Sequence, residues 1–181
     1  MEPFIHLHVH TQYSLLDGQA SIDALVDKAQ KDGMNAIAVT DHGNMFGIKE
    51  FFNKVSKKNG KPLGAIKDLE KEQKALKGKE ELTAEEQARL GEIPGLIEAE
   101  KKKIFKPIIG CECYCARNGR FSKTAKEDRS GYHLIVLAKN LNGYKNLIKM
   151  VSISWTEGFY GRPRIDHELL EKYHEDLIIC S

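Results

Sequence analysis

Cysteine is scarce in this 181-residue sequence. It has four: Cys111, Cys113, Cys115 and Cys180. Their spacing matches neither a CxxC zinc ribbon nor a secreted disulfide framework. The first three alternate along one expected strand and share a face, where they read as small buried hydrophobes in a reducing cytosol. A cysteine-rich zinc site would need a further cysteine pair, which the sequence lacks. No apolar run reaches 18 residues, so no membrane span and no membrane partner is expected. The opening Met1-Glu2-Pro3-Phe4 has neither the basic nor the apolar region of a signal peptide, which points to a cytoplasmic protein. A net charge of +2 is too small to indicate nucleic-acid binding by itself.

What is present suits one domain with a real core. The run Phe4-Ile5-His6-Leu7-His8-Val9-His10-Thr11 places three histidines at every second position. If Phe4 to Val9 is a strand, its period of two points all three imidazoles to one side. That arrangement fits part of a metal site, or a strand whose polar face meets water. Ser21 is a good N-cap for a helix carrying Ile22, Leu25, Val26 and Ala29 up to Gly33. Ala36 to Thr40 reads as a buried strand, and Phe46 to Lys58 as a helix closed by Asn59-Gly60. Further strands are expected over Pro107 to Cys115, His133 to Ala138 and Leu177 to Cys180. Helices are expected over Leu141 to Ser154 and Glu168 to Lys172. Strands alternating with helices predict a parallel sheet or barrel.

One segment departs from this rhythm. From about residue 64 to 104 the chain is dense in lysine and glutamate, and Thr83-Ala84-Glu85-Glu86 is a capping-box pattern. The expectation is an inserted helical arm outside the core, either a solvated insertion or a partner-binding element.

In α/β folds, functional groups gather at the C-terminal ends of the strands. His6, His8 and His10, Asp17, the turn Thr40-Asp41-His42-Gly43, Glu112 and His133 all fall near expected strand ends. Histidine with carboxylate suits Zn²⁺, Mn²⁺ or iron, and several such groups can hold two or three ions together. Neighbouring ions of this kind are suited to phosphate-ester chemistry.

His6 to Gly18, Thr40 to Gly47, Lys106 to Glu112, His133 to Asn140, Glu157 to Tyr160 and Arg162 to Asp166 occur in an order that resembles the polymerase and histidinol phosphatase (PHP) family. Within it, they are similar to the amino-terminal PHP domain of bacterial DNA polymerase III alpha subunits. The resemblance implies a partial, distorted (β/α)7 PHP-type barrel across residues 1–181, interrupted by the insertion. It implies metal ligands at His8, His10, Asp17, His42, Glu112 and His133, with His6 in a supporting place. Asp41 either orients His42 or a metal-bound water, or forms the turn after the strand; no catalytic residue is assigned. Arg162 and Arg164 are candidates for phosphate contact or for a structural loop held by ion pairs to Asp166 or Glu168. Divalent ions, Zn²⁺ or Mn²⁺, are the implied cofactors, with Mg²⁺ at the polymerase site of a parent protein.

The same resemblance implies that further family ligands, a cysteine after the fifth strand and an Asp-x-His, lie beyond Ser181. A piece lacking them is expected to show little nuclease and no polymerase activity. For the parent it implies DNA-templated DNA synthesis, with DNA and the other domains and subunits of the polymerase holoenzyme as partners. The PHP site would then serve phosphodiester hydrolysis in 3′-to-5′ proofreading. Two alternatives stand beside this: a free-standing PHP phosphoesterase acting on a small phosphomonoester, and a metal-free docking module.

Overall fold

The computed structural model describes residues 4–15, 17–124 and 126–180. Met1 to Pro3, Leu16 and Ser181, which entered the reading of the sequence, lie outside the described residues, as does Ala125. The elements in chain order are α1 (Ile22–Lys31), β1 (Ala36–Val39), α2 (Ile48–Lys77), α3 (Ala84–Lys101), β2 (Lys106–Cys115), β3 (Tyr132–Ala138), α4 (Leu141–Thr156), β4 (Arg164–Ile165), α5 (His167–Tyr173) and β5 (Leu177–Cys180).

The fold is mixed α/β around β2, the longest strand. The sheet order is β1-β2-β3-β5, with β4 also pairing β2. Along one edge of β2 lie, in succession, β1, the isolated bridge His42–Glu112, and β4, all parallel to it. On the other edge β3 runs antiparallel, and β5 is antiparallel to β3. The expected all-parallel arrangement is therefore corrected. The reason lies in the connection from β2 to β3. It carries only a 3₁₀ turn, Lys126–Arg129, and no crossover helix to bring the chain back in the parallel sense. Among the described residues the sheet is open and does not close into a barrel.

The expected first strand is also corrected: residues 4 to 10 form no regular strand. Ala38 N–H donates to His6 O and Thr40 N–H to Val9 O, both at 2.9 Å, so the segment lies beside β1 without a continuous ladder. The Thr40 hydroxyl also accepts from Val9 N–H at 2.9 Å. Loss of strand geometry breaks the expected alternation. His6 packs edge-on against Phe4, while His8 and His10 turn toward each other.

The alternation on β2 holds. Cys111, Cys113 and Cys115 enter a core with Val136, Leu147, Met150 and Ile165, while Glu112 and Tyr114 occupy the opposite face. A second core joins α1, β1 and α2 through Ile22, Val26, Val39, Phe51 and Phe105. Ser21 caps α1 as expected, accepting from Ala24 N–H at 3.3 Å.

The helix expected to stop at Asn59-Gly60 instead runs through Pro62 to Lys77. Pro62 removes one helical hydrogen bond, at a typical cost of about 3 kcal/mol. Tertiary contacts offset it. Asn59 is buried and clamps Phe105, donating from Nδ2 to Phe105 O at 2.8 Å and accepting from Phe105 N–H at 2.9 Å. Beyond it, α2 pairs with α3 around a separate core of Ile66, Leu76, Ile93 and Ile97. Thr83 and Glu86 form the capping box at the start of α3. No helix of the described residues is long and apolar enough to cross a membrane.

The Asn59 clamp generates a prediction. Asn59→Ala leaves both main-chain groups of Phe105 buried and unpaired, a loss of about 2 kcal/mol. Urea unfolding is expected to show a lower midpoint with an unchanged slope; an unchanged midpoint would remove the clamp from the account of why α2 continues.

Candidate metal centre

The site is assembled at the Glu112 end of β2. The Glu112 carboxylate is 1% exposed, and four imidazoles surround it. His8 Nε2 lies 2.6 Å and His10 Nε2 2.7 Å from Oε2. On the other oxygen, Oε1, His133 Nδ1 is in direct contact and His42 Nδ1 lies 3.5 Å away. Asp17 joins from the far side of His42, with Oδ2 2.7 Å from Nε2.

Each ligand arrives by a traceable route. The chain crosses from β1 to the site through Asp41, whose carbonyl accepts from Glu112 N–H, while Gly43 N–H returns a bond to Glu112 O. This lacing places His42 beside Glu112. Gly43 has φ of +59°, and a side chain there would run into Pro163. Gly18 closes the loop carrying Asp17; a Cβ there would sit 1.8 Å from Thr11 O. His133 reaches the centre from the first turn of its strand, not from a C-terminal end. Because β3 is antiparallel, its beginning lies beside the end of β2, with His133 opposite Tyr114.

Asp41 does not touch the ring of His42. It is buried and accepts from Thr11 N–H at 2.7 Å, Thr11 Oγ1 at 2.8 Å and Ser14 Oγ at 2.8 Å. Ser14 thereby spends its one proton on Asp41. Its oxygen must accept from His42 N–H at 3.1 Å and from His10 Nδ1 at 2.9 Å. His10 Nδ1–H is therefore the donor to Ser14, and Nε2 is the nitrogen turned toward Glu112. This chain from carboxylate through hydroxyl to imidazole is the kind of support that fixes the tautomer of a metal-binding histidine.

Three overlapping trios bring their donor atoms within 4.8 Å of one another: His8, His10 and Glu112; His10, Asp17 and His42; His42, Glu112 and His133. The donor set fits divalent ions. His8 Nε2 and His10 Nε2 lie 2.9 Å apart on one Glu112 oxygen, an arrangement a shared cation would join. His42 Nδ1 and Glu112 Oε1 are buried without a well-formed hydrogen bond, although His133 Nδ1 touches that same oxygen. His6 belongs to none of the trios.

The two arginines separate. Arg162 is exposed and faces a cleft of about 440 Å³ that also reaches Asp17, His42 and His133. It donates from Nη1 to Tyr114 Oη at 2.8 Å, with its guanidinium over the Tyr114 ring. Tyr114 stacks on His42, with centroids 5.8 Å apart. Burial pushes the Tyr114 phenol upward against the pull of Arg162, so the hydroxyl keeps its proton at neutral pH.

Arg164 is fully buried, and its guanidinium donates to the carbonyls of Gly158, Ser122, Asp128 and Arg120. Its side chain holds the loop, and the phosphate role read for it is corrected. The carboxylates expected to pair with it, Asp166 and Glu168, bind Arg120 instead. Ser14 and Tyr114 also stand at the site, and neither was singled out from the sequence. Tyr114 was within reach, since it shares a strand face with Glu112. Ser14, four residues after His10 in an irregular segment, gave no pattern.

Comparison with known proteins gives the family. Residues 6–181 match the PHP domain family, and the chain belongs to it. It is 44% identical over 98% of its length to a protein of Borreliella burgdorferi named DNA polymerase III subunit alpha. Proteins of the same name from Aquifex aeolicus and Chlamydia pneumoniae are 38% and 37% identical, again over 98% of this chain. The chain spans 12% of the Borreliella burgdorferi and Aquifex aeolicus relatives and 11% of that from Chlamydia pneumoniae.

Removing the hydroxyl that sets the His10 tautomer gives a direct test. Ser14→Ala is expected to weaken Zn²⁺ binding by roughly 10–100-fold, measured by calorimetry or a competing chelator. Undiminished affinity would show that Ser14 does not organise His10.

Proposed function

We propose that this PHP domain is part of a bacterial replicative DNA polymerase alpha subunit, and that its metal centre hydrolyses phosphodiesters at the 3′ end of a DNA strand. The observation that carries the reading is the convergence of His8, His10, His42, His133 and Asp17 around the buried Glu112 in three overlapping trios. That set suits two or three divalent ions better than one. Zn²⁺ or Mn²⁺ held by these residues would supply a hydroxide nucleophile at neutral pH and Lewis-acid stabilisation of phosphoryl oxygens.

The protein's own groups do the remainder. Asp41, through Ser14, holds His10 in the tautomer that binds. Glu112 belongs to two of the trios, one through each carboxylate oxygen. Arg162, held by Tyr114 at the cleft, is placed to meet a phosphate oxygen with its remaining N–H groups. Polymerisation in the parent belongs to a separate Mg²⁺ site. Its partners are DNA and the other domains and subunits of a cytoplasmic holoenzyme; the names of the relatives support this part of the reading.

The open sheet is read as a portion of a distorted (β/α)7 PHP-type barrel. Beyond β5 no strand pairs among the described residues, and Ile178 and Ile179 on it are exposed. The arm of α2 and α3, read as an insertion over about residues 64–104, has its own core and contributes none of the ligands.

Two measurements test the proposal. Glu112→Gln is expected to lower Zn²⁺ and Mn²⁺ affinity at least ~10-fold and to abolish metal-dependent release of the terminal nucleotide from a 3′-labelled strand by the full-length polypeptide. Nucleotide release at the wild-type rate in Glu112→Gln would overturn the hydrolytic reading. Replacing residues 64–103 by a short Gly/Ser linker is expected to leave Zn²⁺ affinity unchanged; its loss would place the arm within the site.

A further inference from the structure

The cleft beside the metal centre has a second wall that the hydrolytic chemistry does not use. Phe46, Trp155 and Phe159 line it, and they are 66%, 43% and 45% exposed. Trp155 and Phe159 stand nearly parallel, with centroids 5.6 Å apart and planes 15° from each other. Phe46 flanks Trp155 at 6.5 Å. Three large aromatic rings left in water on one wall forgo the burial they would have in a core.

Their position is tied to the metal centre. Trp155 Nε1 donates to Gly43 O at 2.8 Å, and Gly43 directly follows the ligand His42. The indole is thereby anchored one residue from a metal ligand. Across the same cleft stands Arg162, a cation. An aromatic wall with exposed ring surface, a guanidinium and a candidate metal centre sharing one cleft describe a ligand with a planar ring linked to a phosphate.

We infer that Phe46, Trp155 and Phe159 form a stacking platform for the base of a strand's terminal nucleotide, which seats its phosphodiester between Arg162 and the metal centre. This rests on the hydrolytic reading of the same site and adds what that reading leaves open: the residues that recognise the strand end, and that they do so through its base. Stacking tolerates every base, because each has a π-face, so the platform selects for a nucleobase without selecting its sequence. A paired base is not free to lie on such a platform, so the cleft selects single-stranded or frayed ends.

The chain's one tryptophan lies in the platform, which gives the test its reporter. Trp155 fluorescence is titrated with a short oligodeoxythymidylate and with an abasic deoxyribose-phosphate oligomer of equal length, with and without Zn²⁺. Base-bearing oligomer is expected to quench the emission and to bind roughly tenfold more tightly than the abasic one. Phe46→Ala and Phe159→Ala, checked for folding by circular dichroism, are each expected to remove most of that preference while Trp155 still reports.

Equal affinity for the two oligomers, or full base preference in both variants, overturns the platform. Zn²⁺ binding is measured by calorimetry on the same samples. Absence of Zn²⁺ binding with base preference intact overturns the hydrolytic reading and leaves the platform standing; Zn²⁺ binding without base preference does the reverse.

Discussion

A carboxylate removed from water has to be compensated, and around Glu112 the compensation comes from four imidazoles on separate parts of the chain. This one requirement ties the architecture together. β2 must carry Glu112 inward while its cysteines face the opposite core. The turn after β1 must lie against β2 so that His42 reaches the same oxygen as His133. The opening segment must fold back over β1 to bring in His8 and His10. The main-chain bonds between Asp41, Gly43 and Glu112 are the hinge of this arrangement, because they hold the turn at a fixed register on the strand.

Around this centre the structure divides polar work between two buried systems. The Asp41–Thr11–Ser14 network positions the candidate ligands and turns Nε2 of His10 toward Glu112. On the far side, Arg120, Asp166 and Arg164 organise the loop that carries Arg162. Burial alone would lower the affinity of Arg120 for its proton, but Glu168, Glu157 and Asp166 raise it. Burial would likewise raise the Asp166 carboxyl, yet the N–H groups of Arg120 and Leu169 and the Arg120 guanidinium hold it below its ordinary value. The loop is pinned by Arg164 and presents Arg162 at its open side. Rigid support with an exposed functional tip is the usual division between scaffold and site.

Much of the site was legible in the residues themselves. Histidine and carboxylate types at strand ends mark metal chemistry whatever the fold, because few other environments place so many imidazoles close together. The alternation of Cys111, Glu112 and Cys113 put Glu112 on its own face without any structure. Capping at Ser21 and Thr83 was equally local, since a cap depends on a few neighbouring residues. The six candidate ligands were named through the ordered blocks around them, and those blocks carried the family.

What only the tertiary structure decided depends on partners distant in the chain. The direction of β3 follows from a connection without a helix, and it is this antiparallel return that lets His133 meet Glu112. Helix α2 passes Asn59-Gly60 and Pro62 because Phe105 and α3 hold it, a preference no window of sequence around Gly60 contains. The opening histidines look like a strand by period, yet their backbone bends, and only His8 and His10 reach the centre. Arg162 and Arg164, two residues apart and alike in chemistry, go to opposite fates. One meets a ring of buried carbonyls and the other an open cleft, and the difference lies in what surrounds them. Sequence fixes which groups can bind a metal or a phosphate; packing decides which of them are left free to do so.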